Sequence, residues 1–158
     1  MRRFKEMVYQ KERLDKPEVL FDEEYLGFRI IGMSLGTHPV AYVGLPENHI
    51  FAGFDYFDLA FINVHGGFTY SERGDGNYLP KGYWWYGWDY AHSGDWKGYF
   101  EGSSEFLGRR LKRWTTEEIY DEAKYVAEQM FYLEEFVEVM LKKFIGDVVK
   151  TIYKFINE

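Results

Sequence analysis

The chain predicts an α+β fold, a mainly antiparallel, twisted sheet packed by C-terminal helices, and three observations carry that prediction. β-Branched and aromatic runs of strand length recur over the first hundred or so residues. Fifteen of the 16 glycines lie between Gly27 and Gly108, and all four prolines precede residue 81, so turns are confined to the same part. Beyond Thr115 only Gly146 interrupts a stretch whose apolar residues recur every three or four positions. At 158 residues, 46% of them hydrophobic, the chain has room for one packed domain and little for two. Residues 1–20 read as an N-terminal arm or short helix, 21–108 as a sheet-and-loop body, and 109–158 as a helical part. The tail beyond 133 reads as an oligomerisation or partner element.

The elements follow in order. Six basic and three acidic groups among the first 16 residues, with Phe4, Met7, Val8 and Leu14 between them, suit a short amphipathic helix or a frayed arm. Residues 26–33 and 40–44 are rich in β-branched and aromatic types and flank Gly36-Thr37-His38-Pro39, which predicts two strands joined by a turn. The apolar run 59–64, ending at Gly66-Gly67, predicts a central strand, and Tyr83-Trp84-Trp85-Tyr86-Gly87-Trp88-Asp89 predicts the next. Thr115-Thr116-Glu117-Glu118 is a capping box: the Thr115 hydroxyl accepts the Glu118 amide while the Glu118 carboxylate reaches back. Unbroken helix from there to residue 156 would span about 60 Å at ~1.5 Å per residue, so a break near Leu133 or Gly146 is expected. The other way to bury the stripe is for a projecting helix to pair with a second copy.

Composition narrows the function classes. Without Cys there is no disulfide framework, thiolate metal site or cysteine nucleophile. A net charge of −7 argues against coating nucleic acid or an anionic membrane, because phosphate binding needs positive charge. No run of 18 apolar residues and no apolar signal core after Met1-Arg2-Arg3 lead us to expect a soluble cytoplasmic protein.

Chemistry concentrates in residues 51–100, which hold 17 of the 33 aromatic residues. Buried Trp and Tyr need polar partners, so a core alone does not call for such density. One reading takes His65, Asp89, His92 and Asp95 as a catalytic constellation. In it the D-x-x-H-x-x-D spacing sets Asp89, His92 and Asp95 on one side of a turn, as candidate ligands for a divalent metal or as a proton relay. The plainer reading has both aspartates anchoring loop backbone. A second site reading uses Gly66 and Gly67 for backbone contacts and Thr69 for a hydroxyl. Tyr70, Trp84, Trp85 and Trp88 would then stack a flat base or sugar. Eight acidic residues against three basic ones between 51 and 105 would oppose a phosphate there, unless Arg109, Arg110, Lys112 and Arg113 supply the cation or form a solvated loop instead. His38 and His49 flank Pro39 and Pro46 and read as turn residues.

Four motifs resemble a widespread family of small uncharacterised proteins encoded by phages and prophages. They are Tyr42-Val43-Gly44-Leu45-Pro46-Glu47-Asn48-His49, His65-Gly66-Gly67-Phe68-Thr69-Tyr70, the run from Trp84 to Asp95 (WWYGWDYAHSGD), and Tyr125-Val126-Ala127-Glu128. The resemblance covers roughly residues 38–130. Family members often carry Cys at the position of Tyr90, so no essential thiol is implied here, and the tail beyond Leu133 departs from the family pattern. The resemblance implies an accessory protein acting on host physiology or defence and brings no established activity. Joined to the residue readings, it leads to a binder of a small, nucleotide-like ligand. The alternatives are a hydrolase, metal-assisted or with His65 or His92 as general base, and an acidic inhibitor of a host protein. Expected partners are a small ligand or a host protein, with self-association through the C-terminal helix.

Overall fold

A computed structural model describes residues 4–98 and 111–158. Five strands form one sheet: β1 (Glu18–Tyr25), β2 (Phe28–Ser34), β3 (Pro39–Pro46), β4 (Tyr70–Arg73) and β5 (Tyr83–Asp89). Every pairing is antiparallel, in the order β1-β2-β3-β5-β4. One helix, α1 (Thr116–Asn157), packs on β1, β2 and β3, so the architecture is α+β. Among the described residues no helix is long and apolar enough to cross a membrane.

The period-2 pleat sorts the aromatic residues between two faces. Ile30, Ala41, Val43, Tyr86 and Trp88 turn toward α1 and meet Ile119, Ala123, Val126 and Met130 of its first turns. Ile31, Met33, Val40 and Trp85 turn the other way, where Leu79 from the β4–β5 loop covers them. Both faces are thus apolar, and among the described residues only one has a helix over it. Tyr42 and Tyr70 pack at the margin of this second cluster.

Three expectations from the sequence change. Residues 59–64 are not a strand: Tyr56–Leu59 is a 3-10 turn with its own Asp55/Asp58 capping box, and turns follow to Gly67. Leu59 and Ile62 are buried under α1 at an i, i+3 spacing while Phe61 is exposed, so this apolar run follows a helical and not a pleated period. From Phe4 onward the N-terminal arm is not helical. It runs extended along the body, with Gln10 N–H donating to Gly36 O and Leu14 N–H to Leu35 O. Buried Thr116 fastens it to the helix start, donating to Lys5 O at 2.7 Å and accepting the Met7 N–H at 2.8 Å. The expected helix break is absent as well: α1 is continuous for 42 residues, opened by the Thr115/Glu118 capping box. β1 and β4 were not anticipated, since acidic residues on β1 and the short run of β4 weaken their strand pattern.

β1 and β2 join through Leu26-Gly27, both at positive φ (53° and 84°), the backbone of a tight hairpin whose twist matches the strands. On the helix side, polar side chains of α1 hold the strands and loops beneath them. Tyr25 donates to Glu128 at 2.6 Å and Tyr120 to Glu23 at 2.8 Å. Gln129 pairs with both backbone groups of Asn63, and His49, a turn residue as expected but with its side chain buried, meets Glu134 at 2.8 Å.

Candidate functional site

Two turns and the start of α1 build the site. β5 ends at Asp89, whose Oδ1 accepts the Ala91 N–H, and the chain turns back through 92–95, where Asp95 N–H donates to His92 O. The 64–67 turn closes with Gly67 N–H on Val64 O and sets Gly66 at φ 69° directly under the His92 imidazole. A side chain at residue 66 would collide with that ring, so glycine is required by contact as well as by conformation.

The four polar candidates come together, but as two pairs. His65 Nε2 lies 2.7 Å from Asp95 Oδ2, and Asp95 also accepts the Trp114 indole N–H (2.9 Å) and the His92 backbone N–H (3.0 Å). His92 Nε2 stands 3.4 Å from Asp89 Oδ1, at ion-pair range without hydrogen-bond geometry, and that nitrogen is buried. The two imidazoles meet edge to face with centroids 5.3 Å apart, so the pairs share a wall. Asp95 is 3% exposed. Burial pushes its carboxyl up, but the bonds from His65, Trp114 and the His92 backbone outweigh burial and hold it below the usual carboxylate range. An ionised carboxylate only accepts, so His65 Nε2 is the donor in this bond.

A short relay fixes the His65 ring. It stacks on Tyr90 at 5.0 Å and 9° and leans on Trp114 at 4.8 Å. Tyr90 accepts from the Trp88 indole at 3.1 Å and donates to Glu122 at 2.6 Å, and the other Glu122 oxygen accepts the His65 backbone N–H at 2.7 Å. Burial, reinforced by the Glu122 charge, pushes the Tyr90 phenol far above the ordinary tyrosine range, so it stays a donor. Tyr90 is thus a buried tyrosine built into the network.

The Asp89–His92 pair faces the sheet side opposite α1, where a cleft of about 530 Å³ opens. Tyr42 and Tyr70 lie on either side of Gly87 in the register and contact each other edge to face at 5.6 Å. Thr69 donates to Asp89 at 3.4 Å. Arg13 of the arm and His38 of the β2–β3 turn complete the rim. Burial lowers the His38 pKa, and Arg13 brings a guanidinium charge to this lining.

The predicted binding residues divide accordingly. Thr69 and Tyr70 line the cleft, whereas Gly66 and Gly67 belong to the turn behind His92. Trp85 and Trp88 do not offer stacking faces: both are buried on opposite sides of β5, their indoles donating to Pro80 O and Tyr90. Trp84 packs against the helix-side core with its Nε1 buried. Among the described residues no three His, Asp or Glu side chains gather as a metal-ligand set; Asp89 faces His92, while Asp95 faces His65 and Trp114. Lys112 lies over the Trp114 ring and pairs with Glu118, and Arg113 lies over Trp96, so neither reaches the cleft; Arg109 and Arg110 fall outside the described residues. Arg13, His38, Tyr42, Trp114 and Glu122 were missed. The capping box marked the start of α1, but nothing local signals that Glu122 reaches a turn 57 residues away.

Compared with protein-family models, curated proteins and solved structures, the chain matches none.

Proposed function

We propose that this protein is a phage-type accessory protein, active in the cytoplasm of a bacterial host and suited to counter-defence, that binds a small nucleotide-like ligand in the cleft between Tyr42, Tyr70, Asp89 and His92. One observation carries the reading: residues of both central motifs, Thr69 and Tyr70 from the first and Asp89 and His92 from the second, line a single cleft with Arg13. Its volume of about 530 Å³ suits a ligand of that size. The edge-to-face tyrosines offer a surface for a flat ring, Asp89 and Thr69 offer hydrogen bonds to it, and Arg13 offers the charge for an anionic group. In this reading the partner is the small ligand, or else a host protein, with self-association through the C-terminal helix.

The test is a thermal-shift screen of mononucleotides, dinucleotides and cyclic nucleotides, followed by calorimetry. A ligand at about 100 times its Kd raises stability by roughly 2.7 kcal/mol. Arg13→Ala and Tyr70→Ala are expected to weaken binding by about tenfold or more. No shift across the panel, together with no nucleotide released from the purified protein, overturns the reading.

The geometry of His65 favours a second reading, general-base hydrolysis. A buried, ionised Asp95 orients the imidazole through Nε2, the arrangement that leaves a ring nitrogen ready to take a proton from water. Hydrolysis of an ester or phosphodiester panel that survives chelation and is lost in His65→Asn supports it. Activity unchanged in that variant sinks it.

A further inference from the structure

α1 has two halves with different surroundings. Up to Met130 its apolar side chains are fully buried against the sheet, but farther along Phe144 is 66% exposed, Ile152 52% and Phe155 84%. The face is the same one. Ile119, Ala123, Val126 and Met130 continue through Leu133, Val137, Leu141, Phe144, Val148, Ile152 and Phe155 in steps of three and four along an unbroken helix. Lys142, Lys143, Lys150 and Lys154 lie on the far side, together with the exposed Val139 and Tyr153. Covered by the sheet at one end, the stripe has no cover within the described residues at the other.

From this we infer that the protein is a homodimer in which the projecting halves of α1 pair antiparallel, stripe against stripe, over residues 137–156. This deepens the self-association named above and does not depend on the ligand cleft. Three features select a second copy in this orientation. First, the stripe faces the same side as the sheet body. Parallel pairing through it would drive two bodies into the same space, whereas antiparallel pairing sets them at opposite ends, each in line with the other's helix. Second, the projecting half changes charge along its length: Glu134, Glu135 and Glu138 lead, and Lys142, Lys143, Lys150 and Lys154 follow with Asp147 between them. Antiparallel pairing over 137–156 sets Glu138 of one helix level with the Lys154 end of the other and opposes the two macrodipoles, which outweighs Lys143 lying level with Lys150; parallel pairing sets every like charge beside its copy and aligns the macrodipoles. Third, the paired length is about 30 Å at ~1.5 Å per residue. Two stripes of that length hide on the order of 1,200 Å² in total, the size at which specific interfaces begin.

Sedimentation and light scattering on the full chain test the association, and the absence of native Cys allows a clean test of orientation. The expected mass is twice that of the 18.9 kDa chain at micromolar concentration. Phe144→Glu with Ile152→Glu is expected to weaken association at least a hundredfold while the sheet's circular dichroism persists. Spin labels on Asp147→Cys, near the midpoint, should lie about 10–15 Å apart, and labels on Glu158→Cys about 30 Å apart, from the helix rise. Short separations at both positions mean parallel pairing and overturn the proposal. A monomer at tens of micromolar overturns it too, as does association seen only with lipid vesicles or with a host protein. Loss of nucleotide binding alone leaves the dimer standing and counts only against the cleft reading.

Discussion

Asp95 is one carboxylate holding three segments: the 65 turn through His65, the 92–95 turn through a backbone amide, and the start of α1 through Trp114. Asp95→Asn removes the charge from bonds that are strong because they are charge-assisted, and a cost of about 1.5–3 kcal/mol is expected in urea unfolding at pH 7. The pH dependence has a definite sign. Because the folded carboxyl sits below its unfolded value of 3.8, the stability it contributes is complete above about pH 4 to 5 and is lost as pH falls toward the folded pKa. Unfolding curves between pH 2.5 and 7 should therefore fall less steeply in the variant at the acid end. An identical acid limb in both proteins would show that Asp95 is not a linked group. The D-x-x-H-x-x-D spacing was legible in the sequence: Asp89 ends β5, and His92 and Asp95 bound the turn that follows it. Their division was not: Asp95 faces His65 and Trp114, which come from 30 and 19 residues away.

At the scale of elements, the β1–β2 hairpin contains the one described residue other than glycine with positive φ, Leu26 at 53°. A γ-branched side chain tolerates that conformation poorly, while Asn tolerates it and Asn-Gly is the preferred pair for such a turn. Leu26→Asn is expected to stabilise the protein by about 0.5–1 kcal/mol in equilibrium unfolding, and any loss would mean that Leu26 packing outweighs the strain. The capping box of α1 and the strands β2, β3 and β5 could be read locally, because caps and β-branched or aromatic runs act over a few residues. The 59–64 run could not, since a short apolar run fits a strand and a buried turn equally well and packing under α1 chose the turn.

For the whole molecule, the length of α1 decides what is stable alone. A helix half without tertiary cover is marginal in water, even with good propensity. Amide exchange over residues 139–150 should thus be slow in the dimer and fast in the Phe144→Glu, Ile152→Glu variant, while amides of β2 and β3 exchange alike in both. Equal protection of 139–150 in the two proteins would show that the helix stands without a partner. Exchange of the sheet amides rising in step would show that the variant had unfolded the body.

By itself the sequence determined the α+β class, the capped helix with its continuous stripe, the turn chemistry of the glycine-rich part, and the two motifs that meet at the cleft. Each of these is written in residues close together along the chain, so local sterics and periodicity suffice. Only the tertiary structure decided that the aromatic excess serves both faces of β5, leaving Tyr42 and Tyr70 as the open rings of the cleft, with Trp88 buried in its wall. It alone decided that the four polar residues form two pairs, and that the arm brings Arg13 to the rim. These outcomes depend on strand register and on groups up to a hundred residues apart, where burial and hydrogen-bond satisfaction of the whole fold choose among local alternatives.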